Sequence, residues 1–210
     1  MIIVGAGGFA VEILEILNQN NELENLAFFD DYNINLPQSL YNKFPILRNE
    51  TQVAEHFKKF GNTFTLGIGT PKVRKMLYDK FVNLGGNLNS TVSKFAEIGS
   101  YNVLIGNGAN ILSGAILSNN VKLGVANIVY YNSLITHDVI TGDFVEISPA
   151  AKLLGRCTIG DYTTIGSNAV ILPDIKVGKN VIVGAGAVVT KDLPDNCTAF
   201  GVPAKVMQNR

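Results

Sequence analysis

Tryptophan is absent from the 210-residue sequence, and histidine and cysteine each occur only twice. Cys157 and Cys197 lie far apart, without the paired spacing of a metal or redox motif, so we expect two reduced thiols and no disulfide. A zinc centre of three histidines, as in a carbonic anhydrase, is excluded by the count of two. We therefore expect no metal cofactor.

Charge is also scarce. Charged residues make up 16 % of the chain, with 17 basic and 17 acidic side chains, against about 25 % in an average protein. Nucleic-acid binding needs a basic patch, which this balance does not favour. No apolar run is long enough to cross a membrane, and no charged leader follows Met1. We expect a cytoplasmic protein, and its 47 % hydrophobic residues predict apolar outer surfaces that further copies cover in a homo-oligomer.

The second half of the chain repeats every six residues. From Ile105 to Val189, fourteen of the fifteen positions at this spacing are aliphatic, and Thr141 is the exception. Two residues before each of them the side chain is small or β-branched almost throughout, and only Asn127 is polar and bulky. A short fixed period is typical of a solenoid in which each hexad is one strand and one corner, so that three hexads close a triangular coil.

The repeat also fixes the direction of side chains. Residues two apart on a strand point to the same side, so the aliphatic and the small positions are predicted to fill the inside of a prism. Glycine follows seven of the fifteen positions of this six-residue frame, and we interpret these glycines as corners that need a permissive backbone. They are Gly106, Gly124, Gly142, Gly160, Gly166, Gly178 and Gly184.

The chain begins with a strand, a glycine turn and a helix. Ile2 to Val4 is followed by Gly5-x-Gly7-x-x-Ala10 and then by apolar residues at helical spacing, which is the nucleotide-binding fingerprint in its alanine-ended form. A second strand ends in Asp30 and Asp31, where a ribose hydroxyl or a base edge would be read. Because this motif is short, a nicotinamide oxidoreductase and a pure nucleotide-binding module both stay open.

Strands that alternate with helices predict a small parallel α/β domain, about half of a dinucleotide-binding fold, over residues 1–84. A hinge is predicted over 85–91 and the prism over 92–210, with a tail after Val189 that caps the last coil. His56 is interpreted as an exposed helix residue. The other predicted elements are a loop over Pro37–Pro45, a helix over Thr51–Phe60 with Thr51 as N-cap, a strand over Phe64–Ile68 and a helix over Val73–Val82.

One histidine falls on the prism. His137 comes two places after the aliphatic Ile135, so the repeat places it outward at a corner, with Asp138 next to it. An outward histidine is ordinarily no more than a solvated side chain. Cys157 occupies an inward position, which makes it a poor covalent nucleophile.

This pattern resembles the sugar O- and N-acetyltransferases of the NeuD and PglD kind over nearly the whole chain. The resemblance implies a left-handed parallel β-helix in a homotrimer, with acetyl-coenzyme A between adjacent prisms and a nucleotide-linked amino sugar on the N-terminal domain. It is carried by Ile3–Ala10, Phe28–Asp31, Gly67–Gly69 with Val73–Lys75, His137–Asp138 with Gly142–Phe144, Ile182–Lys191 and Gly201–Lys205.

Position by position, the resemblance implies that His137 is the general base and Asp138 its acidic neighbour. It implies nucleotide-sugar contacts at Gly7, Gly8, Phe9, Asp30, Asp31, Gly69 and Tyr130, and acetyl-coenzyme A contacts at Glu146, Gly155, Ser167 and Ala185. The family usually has histidine where this chain has Phe9. The PglD-type enzyme has histidine in place of Glu146 and asparagine in place of Tyr130, differences that bear on which sugar is accepted.

The implied reaction is acetylation of a sugar 4-amino group, with a sialic acid O-acetyltransferase as the alternative. An imidazole that is neutral near pH 7 can take the proton of the acceptor, and a carboxylate beside it makes it more basic. Backbone N–H groups near Gly155 are candidates to stabilise the oxyanion. The N-terminal half is too short for a complete dinucleotide fold, which argues against the oxidoreductase.

Overall fold

The computed structural model describes residues 1–207 and contains two compact units, Met1–Thr91 and a second that begins at Val92. Residues 208–210 of the predicted second domain lie outside the described part. Each unit has a hydrophobic core of its own.

The first unit is a six-stranded sheet in the order β3-β4-β2-β1-β5-β6 with three helices. All strand pairs are parallel except β3 with β4. The elements are β1 Ile2–Val4, α1 Gly8–Asn20, β2 Ala27–Phe29, β3 Ser39–Leu40, β4 Phe44–Leu47, α2 Glu50–Phe60, β5 Thr63–Leu66, α3 Pro71–Asn83 and β6 Asn87–Leu88.

The central strands are apolar without alternation because both of their faces are covered. All three residues of β1 and of β2 are buried, as is typical of parallel strands between helices. Helix α1 buries Ala10, Ile13, Leu14 and Leu17, a spacing that forms one helical face. The fold therefore places the glycine turn at the carboxyl end of β1, between the ends of β2 and β5.

Three sequence expectations for this unit were wrong. The segment Pro37–Pro45 contains β3 and the start of β4, joined by a turn with positive φ at Tyr41 and Asn42; such a turn suits a hairpin. Helix α2 is capped by the Asn49 side chain, which accepts from the Gln52 N–H at 3.0 Å, and not by Thr51.

His56 is the third correction. It is buried, with 9 % of its surface exposed, and its ring packs against that of Phe60. Its position on α2 beside Lys58 and Lys59 suggested the solvent side, but His56 lies one turn after Val53 and faces the core with it. The segment predicted as a hinge, 85–91, contains β6, which pairs with β5 at the edge of the sheet.

The second unit is a left-handed parallel β-helix, as predicted, and its strands form three faces of a triangular prism. One face is the sheet β25-β24-β22-β19-β16-β13-β10-β7, the second β23-β20-β17-β14-β11-β8, and the third β21-β18-β15-β12-β9. The strands are β7 Thr91–Val92, β8 Glu97–Ile98, β9 Leu104–Ile105, β10 Asn110–Ile111, β11 Ile116–Leu117, β12 Lys122–Leu123, β13 Ile128–Val129, β14 Leu134–Ile135, β15 Ile140–Thr141, β16 Glu146–Ile147, β17 Lys152–Leu153, β18 Thr158–Ile159, β19 Thr164–Ile165, β20 Val170–Ile171, β21 Lys176–Val177, β22 Ile182–Val183, β23 Val188–Val189, β24 Thr198–Phe200 and β25 Lys205–Met207.

Successive coils stack at an offset of 18 residues, as in the pairing of Glu146 with Thr164 and of Ile147 with Ile165. The aliphatic positions and the small residues two before them form one continuous core. The two polar exceptions of the repeat lie together inside it, because the Asn127 amide donates to Thr141 Oγ1 and accepts from the Val145 N–H at 2.7 Å. A polar pair can be buried in this way only when its hydrogen bonds are satisfied.

The interpretation of the seven glycines as corners that need a permissive backbone was wrong. None of the seven glycines has a positive φ; the left-handed residue comes two places later, every six residues. The seven lack a side chain because the next coil is too close, as at Gly124, where a Cβ would lie 2.3 Å from the Gly142 carbonyl oxygen. The left-handed positions are Asn102, Gly108, Gly114, Asn120, Ala126, Asn132, Asp138, Phe144, Ala150, Arg156, Tyr162, Asn168, Asp174, Asn180 and Gly186.

Candidate active site

His137 and Asp138 lie at the corner between the six-stranded and five-stranded faces, directly after β14. Their side chains are 53 % and 43 % exposed, and His137 Nδ1 lies 2.7 Å from Asp138 Oδ2. Asp138 is the left-handed residue of this corner, with φ 62°. Aspartate enters that region more readily than most residues, so the turn of the coil and the carboxylate beside the imidazole are supplied by one residue.

The surroundings favour the ionised form of Asp138. Its hydrogen bond with His137 is the largest effect and lowers the pKa of the Asp138 carboxyl; desolvation opposes it, and a hydrogen bond from Asn120 and the charges of His137 and Arg156 lower the pKa further. Arg156 itself is held by Asp174, with Nε and Nη2 at 2.6 and 2.8 Å from the two carboxylate oxygens. The carboxylate is therefore available as a negative partner for an imidazolium at all physiological pH values.

Gly155 occupies the position of His137 in the next coil. A Cβ on Gly155 would lie 2.7 Å from His137 Cε1 and 2.9 Å from Nε2. Any larger residue at 155 would displace the ring, so glycine gives the imidazole its place at this corner. With Nδ1 bound to Asp138, the ring nitrogen left for a substrate is Nε2.

The other residues that the resemblance assigns to acetyl-coenzyme A lie on a different edge of the prism. Ser167 and Ala185 stack in successive coils at the corner between the eight-stranded and six-stranded faces, where the Gly186 N–H donates to the Ser167 carbonyl at 2.8 Å. Glu146 lies on β16 of the eight-stranded face and accepts from Ser148 Oγ at 3.4 Å. Tyr130 also precedes this second corner. Within one prism, therefore, Gly155 lies beside His137. Ser167, Ala185, Glu146 and Tyr130 do not lie at the His137 corner.

Cys157 is buried inside the prism, and its burial raises the pKa of the thiol to about 12. A thiol with this pKa is not a nucleophile at neutral pH. Residues 1–207 contain no cluster of three or more histidine, cysteine, aspartate or glutamate side chains that could hold a metal ion. In the same range no helix is long and apolar enough to span a membrane.

In the first unit the glycine fingerprint divides into two roles. A Cβ at Gly5 would meet the Gly67 carbonyl oxygen at 2.8 Å, and one at Gly67 would meet the Ala10 Cβ at 2.7 Å, so these residues serve the packing of the turn against β5. Gly7 and Gly8 have open space where a Cβ would be, at the N-terminus of α1. They leave the helix N-terminus accessible to an anion, while the neighbouring Phe9 is partly buried against the core.

A cavity of about 410 Å³ lies beside this turn, between the ends of β2 and β5. Asp30, Asp31 and Tyr32 line one side, and Gly5 and Ile68 line the other. The sequence did not single out Tyr32, which no motif marks, or Ile68, which lies within the Gly67–Gly69 stretch but was assigned no contact. Their only signal is their place at the ends of parallel strands, where ligands bind in α/β sheets.

The two acids at the cavity already have partners within the protein. Asp30 Oδ1 accepts from the N–H groups of Tyr32 and Asn33 at 3.1 and 2.9 Å, and Asp31 Oδ2 is 2.6 Å from Lys80 Nζ. Gly69, at the other side, offers its carbonyl to the buried Arg74. Asp30 and Asp31 thus shape the loop at the cavity in addition to lining it, whereas Gly69 follows the lining residue Ile68 without lining the cavity itself.

Comparison with known proteins gives two family matches. Residues 1–81 match the PglD N-terminal domain, and residues 138–173 and 157–191 match the bacterial transferase hexapeptide of six repeats. Among curated proteins the chain is 33 % identical over 166 residues to GDP-perosamine N-acetyltransferase of Escherichia coli O157:H7, covering 75 % of this chain and 71 % of that protein.

Solved structures agree with these matches. PerB from Caulobacter crescentus in complex with CoA and GDP-perosamine is 26 % identical, with a TM-score of 0.90 over 99 % of this chain and 96 % of that one. The acetyltransferase domain of PglB from Neisseria gonorrhoeae, in complex with acetyl coenzyme A, is 27 % identical in sequence, with a TM-score of 0.88 over 98 % of both chains. WeeI from Acinetobacter baumannii is 30 % identical, with a TM-score of 0.87 over 99 % of this chain and 100 % of that one.

A hexapeptide-repeat prism with a corner histidine and a PglD-type α/β domain defines a hexapeptide-repeat transferase. The chain belongs to the NeuD- and PglD-like family of sugar acetyltransferases.

Proposed function

We propose that this enzyme transfers the acetyl group of acetyl-coenzyme A to the 4-amino group of a nucleotide-linked amino-deoxy sugar, with His137 as general base. The observation that carries the proposal is the exposed pair of His137 and Asp138, 2.7 Å apart at a prism corner. GDP-perosamine is named as the amino sugar of the relatives from Escherichia coli and Caulobacter crescentus. For the Caulobacter enzyme, two further structures carry a histidine replaced by asparagine or alanine.

In the proposed reaction the amine nitrogen attacks the thioester carbonyl carbon and its proton passes to His137 Nε2. The tetrahedral intermediate then collapses with cleavage of the carbon–sulfur bond, and the thiolate of coenzyme A takes the proton from the imidazolium. Asp138 stabilises that imidazolium through Nδ1 and fixes the orientation of the ring. General-base assistance of this kind contributes ~10²- to 10⁴-fold.

Gly155 is proposed to act at the thioester oxygen. Gly155 is buried under the imidazole edge, and within residues 1–207 its backbone N–H donates no hydrogen bond. A donor fixed in place, out of bulk water and close to the base is suited to stabilise the charge that develops on the carbonyl oxygen.

The remaining coenzyme contacts, Glu146, Ser167 and Ala185, imply a site shared between copies. Because Ser167 and Ala185 stand at a different corner from His137, we propose that acetyl-coenzyme A lies between two prisms of a homotrimer, against His137 of one and Ser167 and Ala185 of the other. Exposed aliphatic side chains on the outer faces, such as Leu104, Ile116, Ile140 and Ile182, support such an assembly.

On the first unit, we propose that Gly7, Gly8 and Phe9 hold the nucleotide diphosphate and that Asp30, Asp31 and Gly69 border the nucleoside. The open backbone at the N-terminus of α1 supports the first assignment, and the 410 Å³ cavity, which Asp30 and Asp31 line, supports the second for these two residues. Tyr130 is assigned to the sugar. We also propose that the enzyme is cytoplasmic and serves cell-surface polysaccharide synthesis. Two free thiols are compatible with a reducing compartment.

The test is mass spectrometry of the products formed from acetyl-coenzyme A and GDP-, UDP- or dTDP-linked 4-amino-6-deoxy sugars. We expect a mass gain of one acetyl group on the amine of one of them, and none on free sialic acid. Acetylation of sialic acid alone would replace the proposal with O-acetyl transfer.

A second arm tests the base. His137→Ala should lower kcat by ~10²- to 10⁴-fold with little change in coenzyme A affinity, whereas Cys157→Ala should stay active. His56→Gln is the control for loss of a histidine elsewhere. Normal turnover by His137→Ala would remove the general base from the proposal.

A further inference from the structure

The guanidinium of Arg48, directly after β4, is bound to four backbone carbonyls of one loop. Nη1 donates to Asp30 and Asn33 at 3.1 and 2.9 Å, and Nη2 donates to Leu36 and Pro37 at 2.8 and 2.9 Å. These acceptors span residues 30–37, which connect β2 to β3 and which we call the acidic loop. One side chain thus holds both ends of the loop.

The acidic loop has little packing of its own. Tyr32 and Ile34 are 93 % and 88 % exposed, and Leu36 is only partly buried. The internal hydrogen bonds are local, from Tyr32 and Asn33 to the Asp30 carboxylate and from the Asn35 N–H to Asn33 Oδ1. The Asp30 N–H donates to the Leu47 carbonyl at 3.0 Å, and beyond this first residue the bonds from Arg48 hold the loop at the end of β4.

The position of the acidic loop decides the shape of two cavities. On one side Asp30, Asp31 and Tyr32 line the 410 Å³ cavity beside the glycine turn. On the other side, Asn33, Ile34 and Leu36 line a cavity of about 650 Å³ together with Arg48. The Tyr32 ring stands exposed at the first cavity, so a shift of the loop moves both this ring and the carboxylate of Asp31.

Arg48 is itself fixed by the first turn of α2. Its N–H donates to Gln52 Oε1 at 2.6 Å, and the next residue, Asn49, caps the helix. A planar guanidinium can serve four carbonyls at once, whereas a lysine ammonium has three donors on a single atom and cannot span the same set.

We propose that Arg48 is a positioning residue for the nucleotide: it holds the acidic loop in the arrangement that binds the nucleoside part of the substrate. The inference rests on the proposed function, since it assumes that the nucleotide occupies the cavity beside the glycine turn. Arg48 itself touches the loop and need not touch the substrate.

Arg48→Met and Arg48→Lys test this in the full-length protein, with Lys58→Met as the control, an exposed cation on the following helix α2. Titration calorimetry with GDP, UDP and dTDP identifies the preferred nucleotide of the wild type. If the freed loop is in the binding arrangement about one tenth of the time, the Kd of Arg48→Met rises ~10-fold. We expect a smaller rise for Arg48→Lys and none for Lys58→Met, with a raised KM for the nucleotide sugar, an unchanged KM for acetyl-coenzyme A and an unchanged kcat.

Hydrogen exchange separates positioning from general destabilisation. In Arg48→Met the amides of residues 30–37 should exchange faster while those of α1 do not, and saturating nucleotide should restore their protection, because a ligand that binds the ordered loop stabilises it. Faster exchange throughout residues 1–91 that nucleotide does not reverse would overturn the inference.

Two binding outcomes separate this inference from the proposed function. Equal nucleotide affinity of the wild type and Arg48→Met would overturn the role of Arg48 alone. A wild type that binds none of the three nucleotides would overturn the nucleotide-sugar function, and the inference with it.

Discussion

Gly155 lies directly against the imidazole of His137, so close that a Cβ on Gly155 would come within 2.7 Å of His137 Cε1. The two residues are 18 apart in sequence and occupy the same place in successive coils. The coil after the histidine therefore sets the position of the ring, while Asp138 sets its orientation through Nδ1.

Gly155→Ala should therefore impair catalysis more than stability. The added methyl group meets the free end of a half-exposed side chain, which can move away without disturbing the core. A displacement of about 1 Å at a reacting group can lower the rate by ~100-fold, so we expect kcat to fall by about that factor while the thermal midpoint changes little. Steady-state kinetics and thermal unfolding of the same preparation check this, and wild-type kcat in Gly155→Ala would mean that the ring tolerates displacement.

Asp138→Asn isolates the charge of the carboxylate from the geometry of the corner. Asparagine already occupies the same left-handed position in the two preceding coils, at Asn102 and Asn120, so the backbone should be unchanged. Loss of the charged hydrogen bond that stabilises the imidazolium predicts a fall in kcat of roughly 10- to 100-fold.

The pH dependence of the wild type gives a companion test. Because the pKa of Asp138 is lowered from its ordinary value of 3.8, its carboxylate stays ionised throughout pH 5–9 and should contribute no inflection to the rate profile in that range. An inflection that disappears in Asp138→Asn would contradict this.

The prism could be predicted from the sequence because its period forces every hexad into the same geometry. Period and polarity together placed His137 outward at a corner and Cys157 inside. The sequence could not show that Gly155 makes room for His137, because the contact joins residues 18 apart. The prediction of a loop from Pro37 to Pro45 was wrong because a two-residue edge strand leaves too short a pattern. The prediction for His56 was wrong because tertiary packing decides which face of α2 is buried.

Residues that need a three-dimensional network were also beyond sequence reasoning. Arg48 carries no motif, and its four carbonyl partners become neighbours only when the acidic loop folds over the end of β4. Asp30 was singled out because it ends a strand, but its use as a cap for Tyr32 and Asn33 depends on the local turn.

The buried pair of Asn127 and Thr141 should be strongly coupled. Asn127→Ala removes the acceptor of the Val145 N–H and the partner of the Thr141 hydroxyl, and each unsatisfied buried group costs about 1–3 kcal/mol. Urea unfolding of Asn127→Ala, Thr141→Val and the double variant should give a coupling free energy of about 0.5–3 kcal/mol. Strict additivity would show that the two side chains act independently.

His56 should make the protein less stable in mild acid. Burial lowers the pKa of His56, and the charge of the N-terminus lowers it further, so in the folded state the ring stays neutral below the ordinary value of 6.5. The unfolded chain binds a proton there that the folded chain does not, and stability is lost as the pH falls below about 6.5.

Thermal unfolding at pH 7.5 and 5.0 measures this effect. Between pH 7.5 and 5.0 the unfolding midpoint of the wild type should fall more than that of His56→Phe. The midpoint of His137→Ala, which removes an exposed histidine, should fall by as much as that of the wild type. Equal decreases in all three proteins would assign the acid sensitivity to other groups.

The stacking offset of 18 residues has a consequence for how such a chain can lengthen or shorten. Deletion or duplication of a complete turn keeps each aliphatic side chain inside and each left-handed residue on its edge, whereas a gain or loss of one or two residues rotates everything that follows. Height along the prism axis is therefore an evolvable quantity that can change without moving His137 away from Gly155.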